Sequence, residues 1–276
     1  MAYPTVSAPY GFDPVNLIGG QVFAGSTRNI PIAYNYGTAI YNGDFVTTSA
    51  GYCIPATTPV NSTNTTMGVF LGCYYTNPTT KQRLFSQYYP GNVTAGDITA
   101  IVVDDPDTVF KVAVTAAAGS TTIASASSIL LGGNMVGNTL TGSAATGNGA
   151  GAVVATSTSA ASTAGFRVLR LVPDTQTSVG GTYVSGTGGT SLVVSGLPVG
   201  TVLPIGTDVF NVVNGQLQFT GSTLTAASTV TTSGSTTLTV TASTVTVAGT
   251  VALVQTPEVL VKVNFGVHRY NLAAGV

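Results

Sequence analysis

Eight basic and nine acidic residues in a chain of 276 leave it almost without charge. An average soluble protein has about a quarter of its residues charged. Helix formers of the Glu, Lys, Gln and Arg type are therefore scarce. Polarity rests instead on Ser, Thr, Asn and Gly, set between Val, Leu, Ile and Ala. Thr and Val suit a pleated surface, so the composition predicts strands with hydroxyl-bearing outer faces. It also leaves little to build an acid–base centre from.

The hydrophobic share is 44%, enough for a core. Disorder requires low hydrophobicity with high charge, so scarce charge here does not signal it. With 34 Gly and 13 Pro, many tight turns are expected. The length allows one large β domain or two smaller ones. A formal net charge of -1 gives no basic face for nucleic acid, and so neutral a surface favours association. Residues 1–16 show neither a basic start nor an apolar run, so no secretory signal is read there. No run reaches the roughly 18 apolar residues of a membrane span. The expectation is a soluble chain made in a cytoplasm, with no nucleic-acid or membrane partner.

Along the chain, residues 1–29 are rich in Pro, Gly and Tyr (Tyr3-Pro4, Ala8-Pro9-Tyr10-Gly11-Phe12-Asp13-Pro14). Proline interrupts regular structure, and an extended N-terminal arm is expected, its aromatics lying on a neighbouring surface. Residues 30–115 read as short strands. Asn42-Gly43-Asp44 marks a tight turn, and Asp104-Asp105-Pro106-Asp107 marks another between Ile98–Val103 and Val109–Val114. Such spacing predicts a small barrel or sandwich. Residues 116–164 read as loop or loose strand, with a short helix at 125–131. Phe166–Val172 is a strand with Arg167 and Arg170 on opposite faces. From 177 to 254 Asp208 is the sole charged residue, and runs such as Thr236–Thr241 and Ser243–Val247 alternate hydroxyl with apolar. The expected organisation is all-β: an arm over 1–29, a discontinuous body over 30–176 and 255–276, and an inserted β-sandwich-like module over 177–254.

Few residues offer chemistry. The acidic turn at 104–107 lacks the spacing of a calcium loop and reads as a turn or interface. His268 is the chain's one imidazole, and no Gly-x-Ser-x-Gly elbow accompanies it, so no catalytic triad is assigned. Gly147-Asn148-Gly149-Ala150-Gly151 follows no strand and opens no helix, unlike a nucleotide loop. Cys53 and Cys73 lack metal-ligand spacing. Two buried thiols in strands are the favoured reading, with a disulfide as the alternative. The sequons at Asn61, Asn64 and Asn92 are chance matches in a Thr-rich chain. Tyr residues crowd the first 90 positions, where they suit a core or an interface; a sugar-stacking platform is the rival. Neither a cofactor nor an enzymatic activity is expected.

The run Thr38 to Val46, then Gly51-Tyr52-Cys53-Ile54-Pro55-Ala56, then Met67-Gly68-Val69-Phe70-Leu71-Gly72-Cys73, resembles head decoration (cement) proteins of tailed bacteriophages, closest to those of marine and cyanobacterial phages. Ala8-Pro9-Tyr10-Gly11-Phe12, Val103-Asp104-Asp105-Pro106 with Phe110, and Val261-Lys262-Val263-Asn264 with His268-Arg269-Tyr270 fit the same pattern. The resemblance covers the body and not the 177–254 insertion. It implies a small β-barrel on the outer surface of a capsid, as a homotrimer, tying capsomers of the major capsid protein together in the virion. The residues it points to for capsid or subunit contact are Tyr3, Tyr10, Phe12, Asp13, Arg28, Tyr41, Gly43 and Asp44. The alternative function is a carbohydrate-binding adhesin or tail-fibre module.

Overall fold

A computed structural model describes residues 6–56, 66–126, 133–155 and 164–264. The fold is all-β, as the composition predicts; among the described residues there is no α-helix, and a 3-10 turn spans Pro173–Thr175. The first eight strands are β1 (Asp13–Leu17), β2 (Arg28–Pro31), β3 (Phe45–Ser49), β4 (Tyr52–Pro55), β5 (Gly68–Thr76), β6 (Arg83–Ser86), β7 (Thr99–Val103) and β8 (Thr108–Thr115). Five of them form an antiparallel sheet in the order β2-β7-β5-β3-β4, with β6 added to β5. Its two edges, β2 and β4, lie close together, so the sheet curls around its own core. Ile30, Ile40, Val46, Phe70, Tyr89 and Ile98 fill that core.

The next four strands are β9 (Asn134–Met135), β10 (Gly137–Asn138), β11 (Ala152–Val154) and β12 (Phe166–Leu171). The chain then runs through β13 (Thr177–Ser185), β14 (Ser191–Ser195), β15 (Val202–Leu203), β16 (Asp208–Val213), β17 (Gln216–Thr223), β18 (Ser228–Thr229), β19 (Ser235–Thr239) and β20 (Thr250–Gln255), ending in β21 (Glu258–Val263). A second sheet has the order β10-β11-β8-β21-β12-β9. Its two outer strands, β9 and β10, are separated in sequence by Val136 alone. One short segment therefore joins both edges, and the sheet nearly closes into a barrel. Phe110, Val112, Met135, Phe166, Val259 and Val261 are buried within it.

The third sheet, β17-β16-β20-β13-β14-β19, draws every strand from 177–255, and β15 pairs with β18 beside it. Its core contains Val179, Leu192, Val194, Val209, Leu238 and Leu253. The stretch leaves after β12 and returns into β21. Those two strands pair antiparallel with Leu171 opposite Val259, and Val172 N–H donates to Glu258 O at 3.2 Å. Entry and exit are therefore neighbours.

Several segments differ from the sequence reading. Within 1–29, the described part is extended, but it lies on the chain's own body. Phe12 is 1% exposed and packs on Phe45, Phe110 and Phe166, with ring centroids 4.0, 6.2 and 5.0 Å away. β1 pairs with β8 from Asp13 opposite Lys111 to Leu17 opposite Thr108, alongside the parallel β11–β8 pairing at Val114. Local proline counts carry no record of such a distant partner. The small-residue stretch at 116–164, read as mostly loop, supplies the closing strands β9, β10 and β11. Ser125 and Ala126 are not helical, because their amides donate to Ile205 O and Thr256 O; residues 127–131 of the expected helix lie outside the described residues. Arg167 and Arg170 are both exposed, because a bulge at Leu169 makes a spacing of three act as a spacing of two. Ser243–Val247 alternates but forms no strand. The amides of Thr244 and Val245 both donate to Thr220 O, and the Ser243 hydroxyl joins them. A serine hydroxyl bonding nearby backbone competes with the ladder.

Candidate functional site

Of the residues singled out by the sequence, Tyr41, Gly43 and Asp44 form a turn between the two sheets of the body, and Phe12 meets it. Gly43 has φ +85°, a conformation glycine adopts without a Cβ penalty. A Cβ there would also lie 2.9 Å from Gly11 Cα and Phe12 N. Both peptide groups of the turn are used. Phe12 N–H donates to Gly43 O, Gly43 N–H to Phe70 O, Phe70 N–H to Asp44 O and Gly149 N–H to Asn42 O. The Asn42 amide donates to Leu71 O at 2.8 Å. Four separated stretches of chain, around 11, 43, 70 and 149, are thus tied at one point.

Asp44 is the unusual member. One carboxyl oxygen accepts from Tyr41 N–H at 2.9 Å. The other is buried without a hydrogen-bond donor and lies over Gly149, where a Cβ would come within 2.2 Å of it. Burial pushes the carboxyl up from 3.8 to about 7, against the lowering effect of the Tyr41 amide. Desolvation disfavours the charged form, so Asp44 keeps its proton in mildly acidic conditions. A recess of about 260 Å³ opens beside it, with Tyr41, Thr38, Thr139, Thr141 and Leu140 in its wall. Among the described lining residues Asp44 is the only carboxyl, without an amine or imidazole beside it. The Tyr41 ring stacks on Tyr88 with centroids 5.5 Å apart and planes 10° from parallel.

A second recess, about 380 Å³, lies on the Asn42 side of the turn and is lined by Tyr10, Asp13, Lys111 and Glu258, among others. Sequence reasoning missed Glu258 altogether, since a single acid opening an apolar strand carries no motif. It is 3% exposed. Its Oε1 accepts from the Tyr10 hydroxyl at 2.5 Å, while Oε2 has no donor. Burial, and then Glu258 as acceptor and as charge, drive the Tyr10 phenol far above its ordinary value. The Lys111 ammonium stands 5.9 Å from the Tyr10 ring centroid. Tyr10 is therefore a clamp on a buried carboxyl in the chain's own barrel.

Of the other expected contact residues, Tyr3 lies outside the described residues. Asp13 is exposed at the start of β1. Arg28 pairs through Nε with Asp104 at 2.7 Å. Phe12 and Gly43 are buried, so neither reaches a partner's surface. In the acidic turn each aspartate has its own partner. Asp104 meets Arg28, Asp105 accepts from Asp107 N–H at 2.8 Å, and Asp107 meets Lys262 Nζ at 3.0 Å. Among the described residues no three His, Cys, Asp or Glu side chains gather as a metal site. Cys53 and Cys73 are free and buried in β4 and β5, and burial pushes both thiols up to about 12. The reactive species is the thiolate, so both are held in the inert form. Asn61, Asn64 and His268 lie outside the described residues.

No helix among the described residues is long and apolar enough to cross a membrane. No family model, no curated protein and no solved structure matches this chain.

Proposed function

We propose that this chain is a structural virion protein that binds the outer surface of a phage capsid and stabilises contacts between capsomers, without enzymatic activity. One observation carries the reading: several of the few ionisable side chains are spent on joints within the fold. Glu258 holds Tyr10, Asp44 sits inside the turn between the sheets, and Asp104 and Asp107 face Arg28 and Lys262. Beside a few exposed charges, the outer surface offers large apolar side chains for contact. Val15, Ile18 and Val22 are 43%, 44% and 80% exposed, and Tyr34 and Phe85 are 66% and 59% exposed. Contacts of this kind depend little on salt-screened charge pairs. The contact surface is then the 15–22 segment and the outer aromatics, with the major capsid protein and sister copies of a homotrimer as partners. A subunit touching several capsomers gains avidity from each.

The test uses capsid shells lacking this protein. Purified chain added to them should sediment with the shells, raise the temperature at which they rupture, and bind about equally in low and high salt. A Val22→Asp variant should bind severalfold more weakly. Absence of co-sedimentation with shells, together with binding of the chain to an array of host glycans, overturns the reading in favour of the adhesin.

A further inference from the structure

Three Asn-Gly pairs occur in this chain, at 42–43, 148–149 and 214–215. Asn-Gly is the dipeptide most prone to spontaneous deamidation, because glycine has no side chain to hinder attack and moves freely. The glycine amide nitrogen loses its proton and attacks the asparagine Cγ. Ammonia leaves, and a five-membered succinimide remains. Water then opens the ring at either carbonyl, giving aspartate or isoaspartate. The reaction needs a glycine N–H free to lose its proton and an asparagine side chain free to swing over it.

The fold withholds both conditions from two of the pairs. At 42–43, Gly43 N–H donates to Phe70 O at 2.8 Å and the Asn42 amide donates to Leu71 O at 2.8 Å. Gly43 is buried as well. At 148–149, Gly149 N–H donates to Asn42 O at 2.7 Å, Gly149 is buried, and the Asn148 Oδ1 accepts from Gln87 Nε2 at 2.6 Å. The two pairs even hold each other, since the acceptor for Gly149 belongs to Asn42. An amide buried and hydrogen-bonded in this way exchanges its proton only when the structure opens.

The third pair lies at the tip of the β16–β17 hairpin, between Val213 and Gln216, which face one another. Asn214 and Gly215 have φ of 51° and 78°, both are exposed, and a Cβ on Gly215 would meet nothing within 4 Å. Neither the Asn214 amide nor the Gly215 N–H has a hydrogen-bond partner among the described residues. We propose that Asn214 is the deamidation site of the native protein, with Asn42 and Asn148 protected by the fold. This does not depend on the proposed function.

The consequence is large for so small a change. Asp208, the sole charged residue of 177–254, is itself buried, so the exposed surface of that stretch carries no charge. Conversion at Asn214 would put its first charge at a hairpin tip. Isoaspartate would also lengthen the backbone of a two-residue loop, the feature that sets hairpin register. The chain would therefore age into a more acidic form that ion exchange separates readily.

The experiment incubates the full folded chain in mildly alkaline buffer at body temperature, then maps chymotryptic peptides for the amide-to-acid mass change and for isoaspartate. Native protein should accumulate both products at 214 severalfold faster than at 42 or 148, together with one new acidic species. In strong denaturant the three sites should react at similar rates. Asn214→Gln should abolish the acidic species while leaving the folded spectrum unchanged. Comparable rates at 42 or 148 in the folded protein would overturn the assignment. So would a site at 214 that reacts in denaturant but stays inert in the native chain.

Discussion

Asp44 makes the stability of this chain depend on pH in a direction opposite to that of most acids. Its carboxyl is raised from 3.8 to about 7 by burial. Between those two values the folded chain holds a proton that the unfolded chain has released. Stability then falls as pH rises, by at most about 1.4 kcal/mol per pH unit from this group. Above about 7 both states are ionised and the slope from this residue vanishes. The expected outcome is a melting temperature that declines from mildly acidic to neutral buffer. Asp44→Asn keeps an oxygen to accept from Tyr41 N–H and cannot ionise, so its profile should be flatter over the same window. A wild-type profile that rises towards neutral pH, or one the variant reproduces, would show that the carboxyl is not buried as described. The sequence marks this residue only as the end of a turn. Its burial comes from Gly149, more than a hundred positions away, whose bare Cα admits the carboxyl.

At the scale of elements, the N-terminal strand decides how the first residues behave. Phe12 fills the space between Phe45, Phe110 and Phe166, and β1 adds directly to β8. Phe12→Ala should cost about 3–5 kcal/mol, as for other buried aromatics cut to Ala, read as a shift in the denaturation midpoint. If residues 1–29 were a detachable arm, the same substitution would leave the midpoint where it was and weaken only association. Turns and strands in 30–115 were legible because their signals are local: Asn42-Gly43, the proline and aspartates at 104–107, and β-branched runs between them. The closing strands β9, β10 and β11 were not. Stretches such as Gly137-Asn138 and Ala152–Val154 are too short and too small-sided to show a period, and only their pairing partners make them strands. The Tyr10–Glu258 contact joins residues 248 apart in sequence, so neither was marked as the other's partner.

At the scale of the whole molecule, the change of texture at 177 was legible because charge and hydrophobic pattern shift together. The structure assigns a separate sheet and core to the strands between 177 and 255. Attachment runs through β12 and β21, adjacent antiparallel strands that a short turn can join. Apart from those connections, hydrogen bonds to the rest of the chain cluster at Ser125 and Ala126. Ser125 N–H donates to Ile205 O, Ala126 N–H to Thr256 O, and Thr256 N–H to the Ser125 hydroxyl. Three hydrogen bonds contribute about 1 kcal/mol each, and Ile205 adds an apolar contact with the body's core; together these are small beside the burial of the three cores. Replacing residues 174–256 by an Asn-Gly turn should therefore leave a body that unfolds in one cooperative step, a few kcal/mol less stable than in the full chain. The excised stretch should show its own transition and its own β spectrum. If neither piece folds, the cores depend on each other. If the shortened body folds but loses capsid binding, the inserted sheet, with exposed Val184, Val199, Val213 and Leu217, is itself the contact surface. The neutral, hydroxyl-rich face of that sheet would then be the reason this chain carries so little charge.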